Sequence, residues 1–173
     1  MSRQSRREAT RARILSVAAK LVARDGPAVL SLREVARESG YSPAGLYAYF
    51  EGRDGILAAL AERDAEALAA ALDSAPAEDH PLIDLGMAWL RFAKRHPGRL
   101  QLALTHPGDA VRAVFIARVE ACVISGEVMP GPGFDIEEIA DTLQATVHGF
   151  AVMGHPPALL REGLRCLLAG LRG

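Results

Sequence analysis

The chain has 173 residues, of which half are apolar, and a formal net charge of −1. No apolar run is long enough to span a bilayer and no signal peptide opens the chain, so no membrane partner and a cytoplasmic location are expected. The near-neutral balance hides an asymmetry: residues 1–53 carry ten Arg/Lys against five Asp/Glu, a net +5, and residues 54–173 carry a net −6. A basic first third is the electrostatic footprint of a nucleic-acid module. The acidic remainder would be repelled by DNA and suits pairing or ligand binding.

Alanine and leucine abound and β-branched runs are few, which predicts an all-α protein. Residues 1–7, MSRQSRR, are expected to form a flexible arm. Its Arg3, Arg6 and Arg7 either reach phosphates or a minor groove, or stay solvated. Helix one is predicted from Glu8 to Arg24, with Ile14, Val17, Ala18, Leu21 and Val22 at helical spacing. Asp25-Gly26-Pro27 ends it. Helices two and three are predicted over 31–38 and 42–49, and helix four over Arg53–Leu72. Helix five, Pro81–Arg95, is apolar on most sides and reads as a central buried helix. A short helix six is expected over Arg99–Thr105, helix seven over Asp109–Gly126, helix eight over Asp135–Met153 and helix nine over Pro157–Leu171.

The stretch Ser31–Arg53, SLREVARESGYSPAGLYAYFEGR, organises the rest. Ser31 followed three residues on by Glu34 predicts a capping box. Leu32, Val35 and Ala36 give one apolar face, and Gly40 stops the helix. Ser42 can cap the next helix and Pro43 suits its first position. Leu46 and Phe50 are four apart and can point into a core. Two helices joined by a glycine turn form the helix-turn-helix pattern of DNA-binding proteins. Ser31, Arg33, Tyr47, Tyr49 and Arg53 are then expected to donate to phosphate oxygens, which orients a protein without reading sequence. The outward groups of the second helix, Ser42, Pro43, Ala44 and Gly45, are small. Base readout is expected through Ser42, apolar contact with thymine methyls and close backbone approach at Gly45, with Tyr41 adding a contact and DNA shape supplying part of the specificity. The competing reading makes Tyr47 and Tyr49 core aromatics and leaves the charges solvated.

The run G-Y-S-P-A-G-L-Y-A-Y-F-E-G-R-D-G-I-L from Gly40 to Leu57 closely resembles the tetracycline-repressor (TetR/AcrR) type of transcriptional regulator. R-x-R-I-L-x-x-A and S-L-R-E-V-A-R-E-S-G fit the same type, and the likeness covers roughly residues 8–60. Arg53 stands where that family usually has lysine, and Gly55 where it has a helix former. The resemblance implies a three-helix DNA-binding domain over 1–52 and a ligand-binding and dimerisation domain over 53–173, about nine helices in all. It implies a homodimer in which helices eight and nine pack against their copies. Two-fold symmetry then predicts a palindromic double-stranded operator. The T-V-H-G-F segment at 146–150 resembles the W-x-x-H-G type of C-terminal domain.

In the second domain Met87, Trp89, Phe92, Phe115, His148 and Met153 are expected either to line a site for a small, largely apolar effector or simply to fill the core. The function implied is a regulator, by resemblance a repressor, released from its operator by that ligand. The alternative is a DNA-binding dimer without an effector, whose C-terminal half is a protein-interaction module. Catalytic residues are not expected: the chain shows no phosphate-cradling glycine loop, no nucleophile elbow and no paired His and acid at a metal spacing. Cys122 and Cys166 read as buried thiols rather than as a disulfide. The five histidines, at 80, 96, 106, 148 and 155, lack ligand spacing, so neither metal nor cofactor is expected.

Overall fold

In the computed structural model the described residues are 2–76, 78–96, 109–131 and 133–171. They form eight α-helices and a 3-10 turn, with no strand among the described residues. The chain divides into two compact units, the first ending at Asp64 and the second starting at Ala65. That division falls inside one helix, α4 (Gly52–Asp73).

The first unit opens with α1 (Arg3–Asp25), whose N-cap is Ser2; its hydroxyl accepts the Ser5 N–H at 3.1 Å. The expected basic arm is therefore helix from Arg3 onward. A serine cap followed by Arg, Gln and Glu, all good helix formers, lets the helix start there. Gly26 ends α1 at φ +86°, a conformation that costs glycine little. A 3-10 turn, Pro27–Val29, leads to α2 (Leu32–Ser39). Ser31 has the extended backbone of an N-cap, yet its side chain caps nothing. The predicted capping box is absent because Glu34 turns instead to Arg24, 2.9 Å away. Gly40 closes α2 in the left-handed region, and Tyr41 N–H donates to Ala36 O at 2.9 Å, a Schellman-type ending.

Helix α3 is short, Pro43–Leu46. The predicted helix over 42–49 gives way after one turn to a turn at residues 47–49. Phe50 N–H still donates to Leu46 O at 3.0 Å, which keeps Leu46 and Phe50 on the core side. Ile14, Val35, Leu46, Ile56 and Leu60 are at most 1% exposed and form the centre of this unit. Each such side chain contributes about 1.5–3 kcal/mol of burial free energy.

In the second unit α5 (Pro81–Arg95) is central, packing on α6 (Asp109–Ile124), α7 (Ile136–Val152) and α8 (Pro157–Gly170). His80 caps α5 through Nδ1, which accepts the Leu82 N–H at 3.2 Å. Asp135 and Glu138 form a full capping box on α7. Gly86 lets α5 approach its neighbours: a Cβ there would stand 2.7 Å from Leu164 Cδ1 and 3.1 Å from Val147 Cγ2. Both cysteines are free; Cys122 is buried, but Cys166 is exposed on the outer side of α8, contrary to the expectation for it. The helix expected over 99–105 lies outside the described residues.

Candidate nucleic-acid interface

Local capping presents the second helix of the motif. Ser42 Oγ accepts the Gly45 N–H at 3.0 Å, and Pro43 holds the first helical position, so α3 begins where the sequence predicts. Leu46 anchors it inward at 1% exposure, and Ser42, Pro43 and Ala44 face outward. The Ser42 hydroxyl keeps only part of its capacity for a base, because the cap already uses it as an acceptor. Gly45 is half-buried; a Cβ there would meet Ser42 Oγ at 3.2 Å, so its lack of a side chain serves the cap first.

The aromatic residues separate. Tyr47 is 63% exposed, so the core reading fails for it. Tyr49 is half-buried and packs edge-on against Tyr41, ring centroids 6.0 Å apart. Tyr41 also lies under the Arg13 guanidinium at 5.3 Å and its hydroxyl donates toward Thr10 at 3.4 Å. Tyr41 thus supports the turn rather than standing free beside it. Arg33 is exposed on α2; Ser31 is half-buried next to it.

Arg53 departs most from expectation. Its Nε donates to Leu30 O at 3.1 Å, and Nη2 donates to Pro27 O at 2.8 Å and Ala28 O at 2.9 Å. Nη1 reaches Asp54 at 3.2 Å. The guanidinium expected to hold a phosphate is largely committed to closing the 27–30 turn onto the start of α4.

Three arginines that sequence treated as a loose arm join the surface. Arg3, Arg6 and Arg7, with Thr10, Ala48 and Tyr49, line a cleft of about 710 Å³ between the start of α1 and the end of the helix-turn-helix. Arg7 Nη2 donates to Ala48 O at 3.0 Å, which ties that cleft together. The signal for this was present in Ser2 as a cap, but it competes with the usual fraying of chain ends.

In the second unit the expected ligand residues divide. Trp89 and Phe115 are buried with ring centroids 5.8 Å apart, and His148 meets Trp89 edge-on at 5.8 Å. Burial holds His148 below its ordinary pKa. Phe92 and Met87 are half-buried, the Phe92 ring meeting His96 at a tilt with centroids 4.7 Å apart. Met153 is 71% exposed at the end of α7 and does not join the interior cluster. Burying it would have required α7 to continue, but the helix ends at Val152 with Gly154 at φ +67°. Trp89 Nε1 and Gln144 Oε1 are buried without a hydrogen-bond partner among the described residues.

A basic surface built on two short helices and a glycine turn makes the first unit a helix-turn-helix DNA-binding domain. Residues 14–60 match the bacterial regulatory proteins of the tetR family, and that stretch is a TetR-type helix-turn-helix domain. Its fold is similar to a protein of unknown function from Rhodococcus sp. RHA1, at 29% identity and TM-score 0.75, with 95% of this chain and 96% of that one covered. A TetR-family transcriptional regulator from Pectobacterium atrosepticum shares the fold at 22% identity and TM-score 0.72, covering 99% and 97%. So does a gamma-butyrolactone receptor, at 24% identity and TM-score 0.59, covering 94% and 87%. No curated protein matches the chain. No described helix is long and apolar enough to cross a membrane.

Proposed function

We propose that the protein is a homodimeric repressor that binds a palindromic operator and is released by a small, largely apolar ligand. The observation that carries the DNA half is the joint exposure of Arg33, Tyr47 and Ser42–Ala44 beside the cleft of Arg3, Arg6 and Arg7. Arg33, Tyr47 and the three α1 arginines hold phosphates, while Ser42, Pro43 and Ala44 face bases. Ser31, Tyr49 and the remaining Nη1 N–H of Arg53 lie at the margin of this surface, and Tyr41 and Gly45 shape it. Neutralising several phosphates makes affinity fall steeply with salt. Operator selection from random DNA, followed by binding across a salt series, tests this. A binding constant flat from low to moderate salt removes the assignment.

Apolar surface supports pairing. Val152, Met153, Leu159 and Leu167 are between 38% and 71% exposed on and beside the last two helices. A groove of about 220 Å³ runs there, lined by Phe134, Thr142, Leu143, Leu167 and Leu171. A second copy would cover both. Sedimentation of wild type and of a Leu159→Glu/Leu167→Glu double variant tests this, with the double variant expected to dissociate.

For the effector, Trp89, Phe115, Phe92, Met87 and His148 offer an apolar wall, and the unpartnered Trp89 Nε1–H and Gln144 Oε1 offer a donor and an acceptor. A ligand shifts operator affinity only by as much as it prefers one conformer. Metabolites, lactones among them, should be screened for release of bound operator. Packing of Trp89 directly on Phe115 and His148 favours a second reading, in which these rings only fill the core and the unit serves pairing alone. A tight ligand that leaves operator affinity unchanged would remove the release mechanism, and the failure of every screened metabolite to bind would favour the second reading.

A further inference from the structure

His80, Cys122 and Glu127 are far apart in sequence but meet in the second unit. His80 precedes α5, Cys122 lies near the end of α6, and Glu127 follows the turn that closes α6 by donating its N–H back to Cys122 O at 2.9 Å. One ligand atom from each lies within 4.8 Å of the other two. His80 and Cys122 are buried, whereas the Glu127 side chain is 41% exposed. Neither the DNA-binding surface nor the Trp89 ring cluster uses these groups.

The spacing bears on what they do. His80 Nε2 and Glu127 Oε2 are 3.4 Å apart. That exceeds the ~2.7–2.9 Å of a charge-assisted hydrogen bond. It equals the edge of a tetrahedron around zinc, where two ligand atoms at about 2.0–2.1 Å stand about 3.4 Å from each other. A thiolate at about 2.3 Å would stand about 3.6 Å from each, so the sulfur needs to move in by about 1.3 Å at most.

We propose that His80, Cys122 and Glu127 form a three-ligand site for a thiophilic divalent cation of the zinc class, with its fourth position open on the solvent side of Glu127. Imidazole, thiolate and carboxylate together are a borderline-soft donor set suited to such an ion. Cys122 is a buried free thiol, and a thiol gives up its proton when it binds a metal. The cation takes the sulfur lone pair and that proton leaves to solvent. Nδ1 of His80 accepts the Leu82 N–H, so the neutral ring carries its proton on Nε2. Coordination through Nε2 moves the ring proton to Nδ1 and gives up the cap on α5. The net release is one proton per cation, so affinity rises with pH. The first turn of the central helix is the element that registers occupancy. This site is independent of the apolar effector.

The test is titration of the metal-free full chain with Co²⁺, which occupies zinc sites and reports thiolate ligation by a charge-transfer absorption. The expected result is one Co²⁺ per chain with that absorption, displaced by Zn²⁺, retained in Cys166→Ser and lost in Cys122→Ser. Because Cys122 is buried, Glu127→Gln is the companion variant: it changes an accessible side chain and is expected to weaken Co²⁺ binding by about tenfold or more. No charge-transfer absorption in the wild type, an absorption that persists in Cys122→Ser, or unchanged Co²⁺ affinity in Glu127→Gln overturns the site.

Discussion

Replacing Arg53 by alanine and by lysine separates two roles for one charge. The guanidinium donates to three main-chain carbonyls, those of Pro27, Ala28 and Leu30, at 2.8, 2.9 and 3.1 Å. Its side chain is 37% exposed, so each bond sits near the lower end of the ~0.5–1.5 kcal/mol range. Three together are worth about 2 kcal/mol. The Asp54 carboxylate is 90% exposed and adds nothing measurable. Arg53→Ala loses all three bonds. Arg53→Lys keeps the charge but has one nitrogen where the fork had two engaged, so about half the loss, about 1 kcal/mol, is expected. Urea unfolding followed by circular dichroism reads the stability. Operator binding across a salt series, under conditions where all variants stay folded, reads the phosphate role. The expected stability order is wild type, Arg53→Lys, Arg53→Ala, with salt slopes nearly equal. If Arg53 were chiefly a phosphate ligand, Arg53→Ala would unfold like wild type and its log–log salt slope would fall by about 0.9. That pattern would refute the clamp reasoning.

Two glycines on helices should respond oppositely to alanine. Gly86→Ala places a methyl against buried Leu164 and Val147, costing about 1–3 kcal/mol of overpacking against ~1 kcal/mol of helix propensity, so net destabilisation is expected in thermal melts. Gly55→Ala meets nothing nearer than 3.4 Å and should stabilise by about 0.5–1 kcal/mol in the same assay. Ser42→Ala removes the α3 cap, with an expected loss of ~1 kcal/mol and weaker operator binding in gel-shift titrations. His148 is held below its usual 6.5 by burial, so on acidification the unfolded chain takes up that proton first. Stability should therefore fall as pH drops below ~6.5, and His148→Gln should flatten that slope in urea titrations at several pH values.

The helical class, the glycine stop at Gly40, the Ser42-Pro43 start and the inward Leu46 and Phe50 were legible because each rests on a local rule with one strong outcome. The length of α3 was not. Tyr47 and Ala48 carry no breaker, and only the return of the chain to bury Phe50 ends the helix early. The Ser31–Glu34 capping box failed for a non-local reason, since Arg24 competes for the carboxylate from another helix. Arg53 failed in the same way: its charge was visible, but its three carbonyl partners lie 23 to 26 residues away. Met153 was expected in the effector site or the core, but it lies just past the last residue of α7 and stays exposed. The meeting of His80 with Cys122 and Glu127 follows from α5 packing on α6, and no spacing rule along the chain could expose it.

Arg7, Arg13 and Arg53 all stitch the first unit by donating to main-chain oxygens, those of Ala48, Ser39 and the 27–30 turn. Every amino acid brings a carbonyl, so these stitches place no demand on the identity of the residue that receives them. These contacts alone leave the side chains at Pro27, Ala28 and Ala48 open to change as long as the backbone path survives, whereas each arginine is not. In a collection of diverged chains such arginines would persist without a companion position changing in step. Methods that look for paired changes would pass over the contacts that hold the reading head in shape.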